Sequence, residues 1–219
     1  MINPTTIILA DDHEILRQGL RALLEKEPDF KVIGETGDGL EAIALVRRLK
    51  PAVVVVDVML PSLNGLDTAR QIKKHDAKTH IAVLSMFADE SYVLRALRNG
   101  ASAYVLKCAA FEDLVRAIRE VMAGRTYLST PLSEQAITIF EKAAGTASPD
   151  KYDLLTDREK QVLQLAAEGL TSAQIADRLG ISPRTAETHR ANISKKLGFQ
   201  SHTDMVAFAL RHGLIAKDV

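Results

Sequence analysis

The chain has 219 residues, enough for two modest domains, and its 28 Lys and Arg balance its 28 Asp and Glu. Binding to a polyanion therefore has to come from a local patch and not from whole-molecule attraction. The single cysteine, Cys108, excludes an internal disulfide framework and a multi-thiolate zinc site; with no membrane-length apolar stretch and no signal-type N-terminus, the chain is expected to be soluble and cytoplasmic.

From Thr5 to about Gly124, short apolar strands alternate five times with amphipathic helical stretches, the signature of a parallel, doubly wound α/β sheet. The first strand, Thr6-Ile7-Ile8-Leu9-Ala10, is closed by Asp11 and Asp12, and the helix after it repeats Ile15, Leu16, Leu20, Leu23 and Leu24 toward the sheet. The second strand, Lys31 to Ile33, is the weakest pattern, since Lys31 opens it and Gly34 follows; its helix carries Leu40, Ile43 and Val46. Ala52-Val53-Val54-Val55-Val56 ends on Asp57 and precedes Leu66, Ala69 and Ile72. Ile81-Ala82-Val83-Leu84 ends on Ser85 and precedes Val93, Leu94 and Leu97. Ala103-Tyr104-Val105-Leu106 ends on Lys107, and Leu114, Ile118 and Val121 mark the fifth helix.

After Gly124 the alternation stops. A linker over residues 125–152 is expected, with a helix from Pro131 to Ala144 and a Gly- and Ser-containing stretch at 145–150. From residue 153 no strand pattern remains, and four short helices are expected, with Gly169, Gly180 and Gly198 suited to their C-terminal ends. Thr156 with Glu159 forms a capping box, and Ser182 followed by Pro183 marks the start of a longer helix reaching Leu197.

Short β-branched runs without polar alternation are buried on both faces, and ligands of such sheets collect beyond the carboxyl ends of the strands. Asp11, Asp12 and Asp57 are placed there together. An aspartate after a strand is often only a helix cap, but three crowded carboxylates repel one another and call for a cation. The two acidic motifs offer oxygen ligands, so a hard divalent ion, Mg2+, is the expected partner. Ser85 adds a hydroxyl and Lys107 a fixed positive charge. A carboxylate nucleophile, a metal, a hydroxyl and a lysine are what phosphoryl transfer requires, because its transition state is stabilised by positioning and by neutralising charge on equatorial oxygens.

With Asp11, Asp12, Asp57, Ser85, Tyr104 and Lys107 in this order, residues 5 to about 124 closely resemble the receiver domain of two-component response regulators. The resemblance implies a five-stranded flavodoxin-like sheet of order 2-1-3-4-5. It implies that a sensor histidine kinase phosphorylates Asp57, with Asp11, Asp12, Asp57 and the Met59 carbonyl around Mg2+ and Lys107 pairing with the acquired charge. Ser85 is then expected to bond a phosphoryl oxygen, with Tyr104 swinging inward behind it as the switch. Cys108 stands where many receivers carry proline, which leaves the cis-peptide geometry of that loop open, and Cys108 itself is expected to pack as a small residue.

Residues 154–215 resemble the helix-turn-helix domain of NarL/FixJ and LuxR-type transcription regulators, through Leu154-Leu155-Thr156-Asp157-Arg158-Glu159, Ala166-Ala167-Glu168-Gly169-Leu170-Thr171 and Lys196-Leu197-Gly198. On the helix from Pro183, Ala186, Ile193 and Leu197 form a seam. The other side carries Arg184, Glu187, Thr188, Ala191 and Lys195. Glu187, Thr188 and Ala191 suit base edges, while Arg184, Thr185, His189, Arg190 and Lys195 suit phosphates. Residues 184–196 hold four Lys and Arg against one Glu, so charge alone does not distinguish a DNA-reading face from a solvated one. A small domain of this charge is expected to bind double-stranded DNA as a homodimer formed on phosphorylation, with half-sites about 34 Å apart and with Met205, Val206, Phe208, Ala209 and Leu210 offered either to the dimer or to the core.

The expected organisation is a receiver at 1–124, the linker at 125–152 and a DNA-binding domain at 153–219. The expected function is phosphorylation-gated control of transcription, with RNA polymerase as a further partner. Two alternatives follow from the same residues: a regulator whose receiver chemistry is vestigial, and a phosphatase with an aspartyl nucleophile, which usually has an acid two residues after it where this chain has Met59.

Overall fold

The computed structural model describes residues 3–132 and 151–215, which divide into two compact units. In the first, β1 (Thr5–Ala10), β2 (Phe30–Thr36), β3 (Val53–Asp57), β4 (His80–Ser85), β5 (Ala103–Leu106) and β6 (Tyr127–Leu128) form one sheet of order β2-β1-β3-β4-β5-β6. All five pairings are parallel. Between the strands run α1 (Glu14–Leu24), α2 (Gly39–Leu49), α3 (Gly65–His75), α4 (Glu90–Arg98) and α5 (Phe111–Met122).

Alternation along each strand builds two apolar layers. Ile7, Leu9, Val53, Val55, Leu84 and Val105 pack with Leu24 of α1 and with Leu114, Ile118 and Val121 of α5. Ile8, Val54, Val56, Ile81 and Val83, on the opposite face, are just as fully buried. Both faces being covered explains why the strands read as unbroken apolar runs.

Three expectations change. The sheet has six strands and not five: after α5 the chain returns to the free edge of β5, where Ala103 pairs with Tyr127 and Tyr104 with Leu128. Two residues are too few to show any periodicity. β2 is longer than its sequence pattern, because backbone pairing with β1 carries it through Gly34 to Thr36 across an irregularity between Ile7 and Ile8. Ile15 does not face the sheet; it is 89% exposed, and the buried side of α1 is carried by Leu24, with Leu16 and Leu20 half-buried. The expected helix at 131–144 lies, beyond Leu132, outside the described residues.

The second unit begins with a turn of 3-10 helix (Lys151–Leu154), followed by α6 (Asp157–Ala167), α7 (Ser172–Leu179), α8 (Pro183–Leu197) and α9 (His202–Arg211). Capping boxes start α6 at Thr156 with Glu159, α7 at Thr171 with Gln174 and α9 at Ser201 with Asp204. Ser182 caps α8 on the Thr185 amide with Pro183 next to it. Gly180 and Gly198 close α7 and α8 in the left-handed conformation, which glycine adopts without steric cost. Tyr152, Val162, Leu163, Ile175, Ala186, Ile193, Met205 and Phe208 make a separate core.

Candidate functional site

At the carboxyl end of the receiver sheet, β1 and β3 are adjacent and place Asp11 and Asp57 beside each other, both almost fully buried. Lys107, one residue past β5, extends its ammonium to 2.7 Å from Asp57 Oδ2 and 2.7 Å from Asp11 Oδ2. Its main-chain amide donates to Ser85 O at 2.7 Å, which ties the lysine to the end of β4. Asp12 is more open to solvent, as suits a group at the rim. The Met59 amide donates to Asp57 Oδ1 at 3.3 Å.

Burial pushes the Asp57 carboxyl up to about 6, against the lowering effect of Lys107 and with Asp11 adding to the rise. Burial disfavours the Lys107 ammonium, but its hydrogen bonds to Asp11 and Asp57 outweigh that and hold its pKa above the ordinary lysine value. Asp11, Asp12, His13 and Asp57 present ligand atoms that all lie within 4.8 Å of one another. Three carboxylates against one ammonium leave the cluster two positive charges short, which is the charge of one divalent ion, and the oxygen donors suit a hard cation.

His13 stands outside the expected set. Its Nδ1 lies 2.8 Å from Asp12 Oδ1 and 3.2 Å from Asp11 Oδ1, and its amide donates to Asp11 Oδ1. Adjacency to the acid pair was the only signal for it. Gly65 was also unforeseen: a Cβ there would fall 1.8 Å from the Asp57 carbonyl oxygen, and the Gly65 amide donates to Val58 O at 2.8 Å. The signal available was the Asn64-Gly65 dipeptide, where Asn64 caps α3 on the Asp67 amide. Arg17 donates to the Asp11 carbonyl at 2.5 Å, fixing the turn that carries the acids.

Ser85 is fully buried, and its Oγ accepts from the Phe87 amide at 3.0 Å. Tyr104 is also fully buried, with its hydroxyl donating to Phe87 O at 2.8 Å, and burial holds the phenol well above its ordinary pKa. Among the described residues the one cis peptide is Thr130–Pro131, so the Lys107–Cys108 peptide is trans, and Cys108 is exposed and does not pack, because the chain leaves the sheet at that point.

In the second unit, Ala186, Ile193 and Leu197 of α8 are buried as the seam predicts. Arg184, Thr185, Glu187, Thr188, Ala191 and Lys195 are exposed, and His189 and Arg190 are half-buried. Thr188 donates to the Arg184 carbonyl and Arg190 to Leu170 O, so Arg190 also ties α8 to the turn before α7. Lys196 is set apart from this face. It reaches 2.7 Å to Glu159 Oε2, the same oxygen that accepts from the Thr156 amide, and 3.3 Å to Leu154 O. Burial would raise the Glu159 carboxyl, but Lys196 and the Thr156 cap hold it below the usual range. On α9, Met205, Phe208 and Ala209 belong to the core, and Phe208 stacks on His212 at 3.9 Å between ring centroids.

Residues 7–119 match the response regulator receiver domain, and residues 153–209 match the bacterial regulatory proteins of the luxR family. Over 215 residues the chain is 37% identical to the oxygen regulatory protein NreC of Staphylococcus aureus, covering 95% of this chain and 98% of NreC. Among solved structures, the RcsB response regulator of Salmonella typhimurium aligns with a TM-score of 0.60 at 26% identity, over 98% of this chain and all of that one. A two-component response regulator of the LuxR family from Aurantimonas covers 65% of this chain and all of its own at 35% identity and a TM-score of 0.58. A buried acid cluster at the switch point of a doubly wound sheet, joined in one chain to a capped helix-turn-helix unit, defines a two-component response regulator. This chain belongs to the LuxR-type branch of that family, with a receiver and a DNA-binding domain that regulates transcription.

Proposed function

We propose that Asp57 is the phosphoacceptor of this receiver and that its phosphorylation by a sensor histidine kinase promotes a DNA-binding dimer. The observation that supports this most strongly is the buried Asp57 carboxylate with the Lys107 ammonium at 2.7 Å. With a pKa of about 6, Asp57 is mostly ionised at neutral pH and is available as a nucleophile. One of its oxygens bonds to phosphorus as the phosphorus–nitrogen bond of the donor histidine breaks, and the electron pair leaves with the imidazole. Mg2+, held by Asp11, Asp12, Asp57 and the Met59 carbonyl, would offset the repulsion between the carboxylate and the anionic donor. Lys107 then exchanges a carboxylate for a phosphoryl oxygen, and Ser85 turns its hydroxyl from the Phe87 amide toward the same group.

On the DNA side, Glu187, Thr188 and Ala191 of α8 are assigned to base edges, and Arg184, Thr185, His189, Arg190 and Lys195 to phosphates. Exposure of the first three, together with Arg184 and Lys195 at either end of the row, supports the assignment. Chemistry at Asp57 is tested by mass: incubation with Mg2+ and a small phosphoryl donor adds one phosphoryl group to the protein, and Asp57→Ala takes up none. Equal uptake by the variant would remove Asp57 from this role, and steady release of phosphate from added phosphoesters would favour a phosphatase.

A further inference from the structure

We propose that Ser129, in the segment expected to be linker, is a positioning residue for Lys107; this rests on the function proposed above for Asp57 and Lys107. Without β6, β5 would be the edge of the sheet, and its outward amides would face solvent next to the reacting groups. Instead Tyr127 N donates to Ser102 O and Ser129 N to Tyr104 O, which fastens the segment along β5. The next amide in the ladder, Leu106 N, finds no strand carbonyl and donates to the Ser129 hydroxyl at 3.0 Å. Ser129 is fully buried there. Tyr127 adds a bond from its phenol to Asp113 on α5 at 2.7 Å, which closes the outer end of the strand.

Leu106 is the residue immediately before Lys107. The two successive peptide units that lead into the lysine are thus held from opposite sides: the Lys107 amide by Ser85 O at the end of β4, and the preceding Leu106 amide by the hydroxyl of Ser129, one residue past β6. The Lys107 side chain must span from this unit to a point 2.7 Å from two buried carboxylates. Releasing one of the two anchors lets the ammonium drift from the point at which charge develops, and small misplacements of a positioned group slow a reaction strongly. Asp57 ends β3, Asp11 and Asp12 follow β1, and neither strand pairs with β6, so a lysine-positioning role separates the rate of phosphoryl uptake from metal binding.

The test uses the full chain, phosphoramidate as the phosphoryl donor, intact mass to follow uptake and calorimetry with Mg2+ alone. Ser129→Ala is expected to lower the maximal uptake rate about tenfold, with Mg2+ affinity within about twofold of wild type. Should that variant fail to fold, Ser129→Cys, close in shape and a far weaker acceptor, carries the same expectation. A wild-type rate in the variant would overturn the inference, as would a parallel loss of Mg2+ affinity, which would signal general loosening of the site. If wild type and Asp57→Ala behave alike, the assignment of Asp57 fails first and this inference fails with it.

Discussion

The charge on Asp57 opposes the fold that holds it. Its carboxyl has a pKa of about 6 in the folded chain and an ordinary value of 3.8, so the folded state holds the proton more tightly than the unfolded one. The contribution of Asp57 to the stability of the metal-free protein should therefore be fully present below about pH 4 and be lost as pH rises through 6. Asp57→Asn is expected to raise metal-free stability at pH 7.5 by about 1–3 kcal/mol, measured by urea unfolding, with the gain shrinking as Mg2+ is added. Phosphoryl uptake should move in the opposite sense, falling as pH drops below about 6 and the nucleophile becomes protonated. Gly65→Ala pushes a methyl group into the Asp57 carbonyl and should cost about 3 kcal/mol or more in the same unfolding measurement. A loss below 1 kcal/mol would mean that the turn relaxes without disturbing the site.

At the scale of elements, α8 is seated by its buried seam of Ala186, Ile193 and Leu197 and is also tied to the start of α6. Glu159 serves both as the acid of the α6 capping box and as the partner of Lys196 near the end of α8. Removing it leaves the Thr156 amide and Lys196 without that partner, and Glu159→Ala should cost about 2 kcal/mol, the figure being held down because Lys196 is partly exposed. Lys195 is free of such a duty, and Lys195→Ala should weaken DNA binding evenly across sequences and reduce the salt slope by about 1, whereas Glu187→Ala should change which bases are preferred. Binding titrations at several salt concentrations distinguish the two. The caps at Thr156 and Ser182 were legible because capping is written in adjacent residues, and the strands were legible because both faces are buried. β6 was not legible, since pairing with the β5 edge, and not its own pattern, makes those residues a strand. The pairing of Lys196 with Glu159 was equally hidden, because the two lie 37 positions apart.

For the molecule as a whole, balanced charge means that affinity for DNA has to be assembled from small local contributions, which a dimer presenting two copies of the helix-turn-helix unit would double. Apolar residues of α9 once open to either use are divided by the structure: Met205, Phe208 and Ala209 serve the core, and Val206 and Leu210 remain half-buried. The clustering of Asp11, Asp12, Asp57 and Lys107 was legible from their places at the strand ends, whereas the turns that bring His13, Arg17 and Gly65 around them were not. Under the proposed function, the state of Asp57 controls DNA binding. Purified protein should be used to select from fragmented genomic DNA with and without Mg2+ and a phosphoryl donor, alongside Asp57→Ala. A two-half-site sequence should be enriched only by phosphorylated wild type; equal enrichment in all three samples would mean that Asp57 does not control DNA binding.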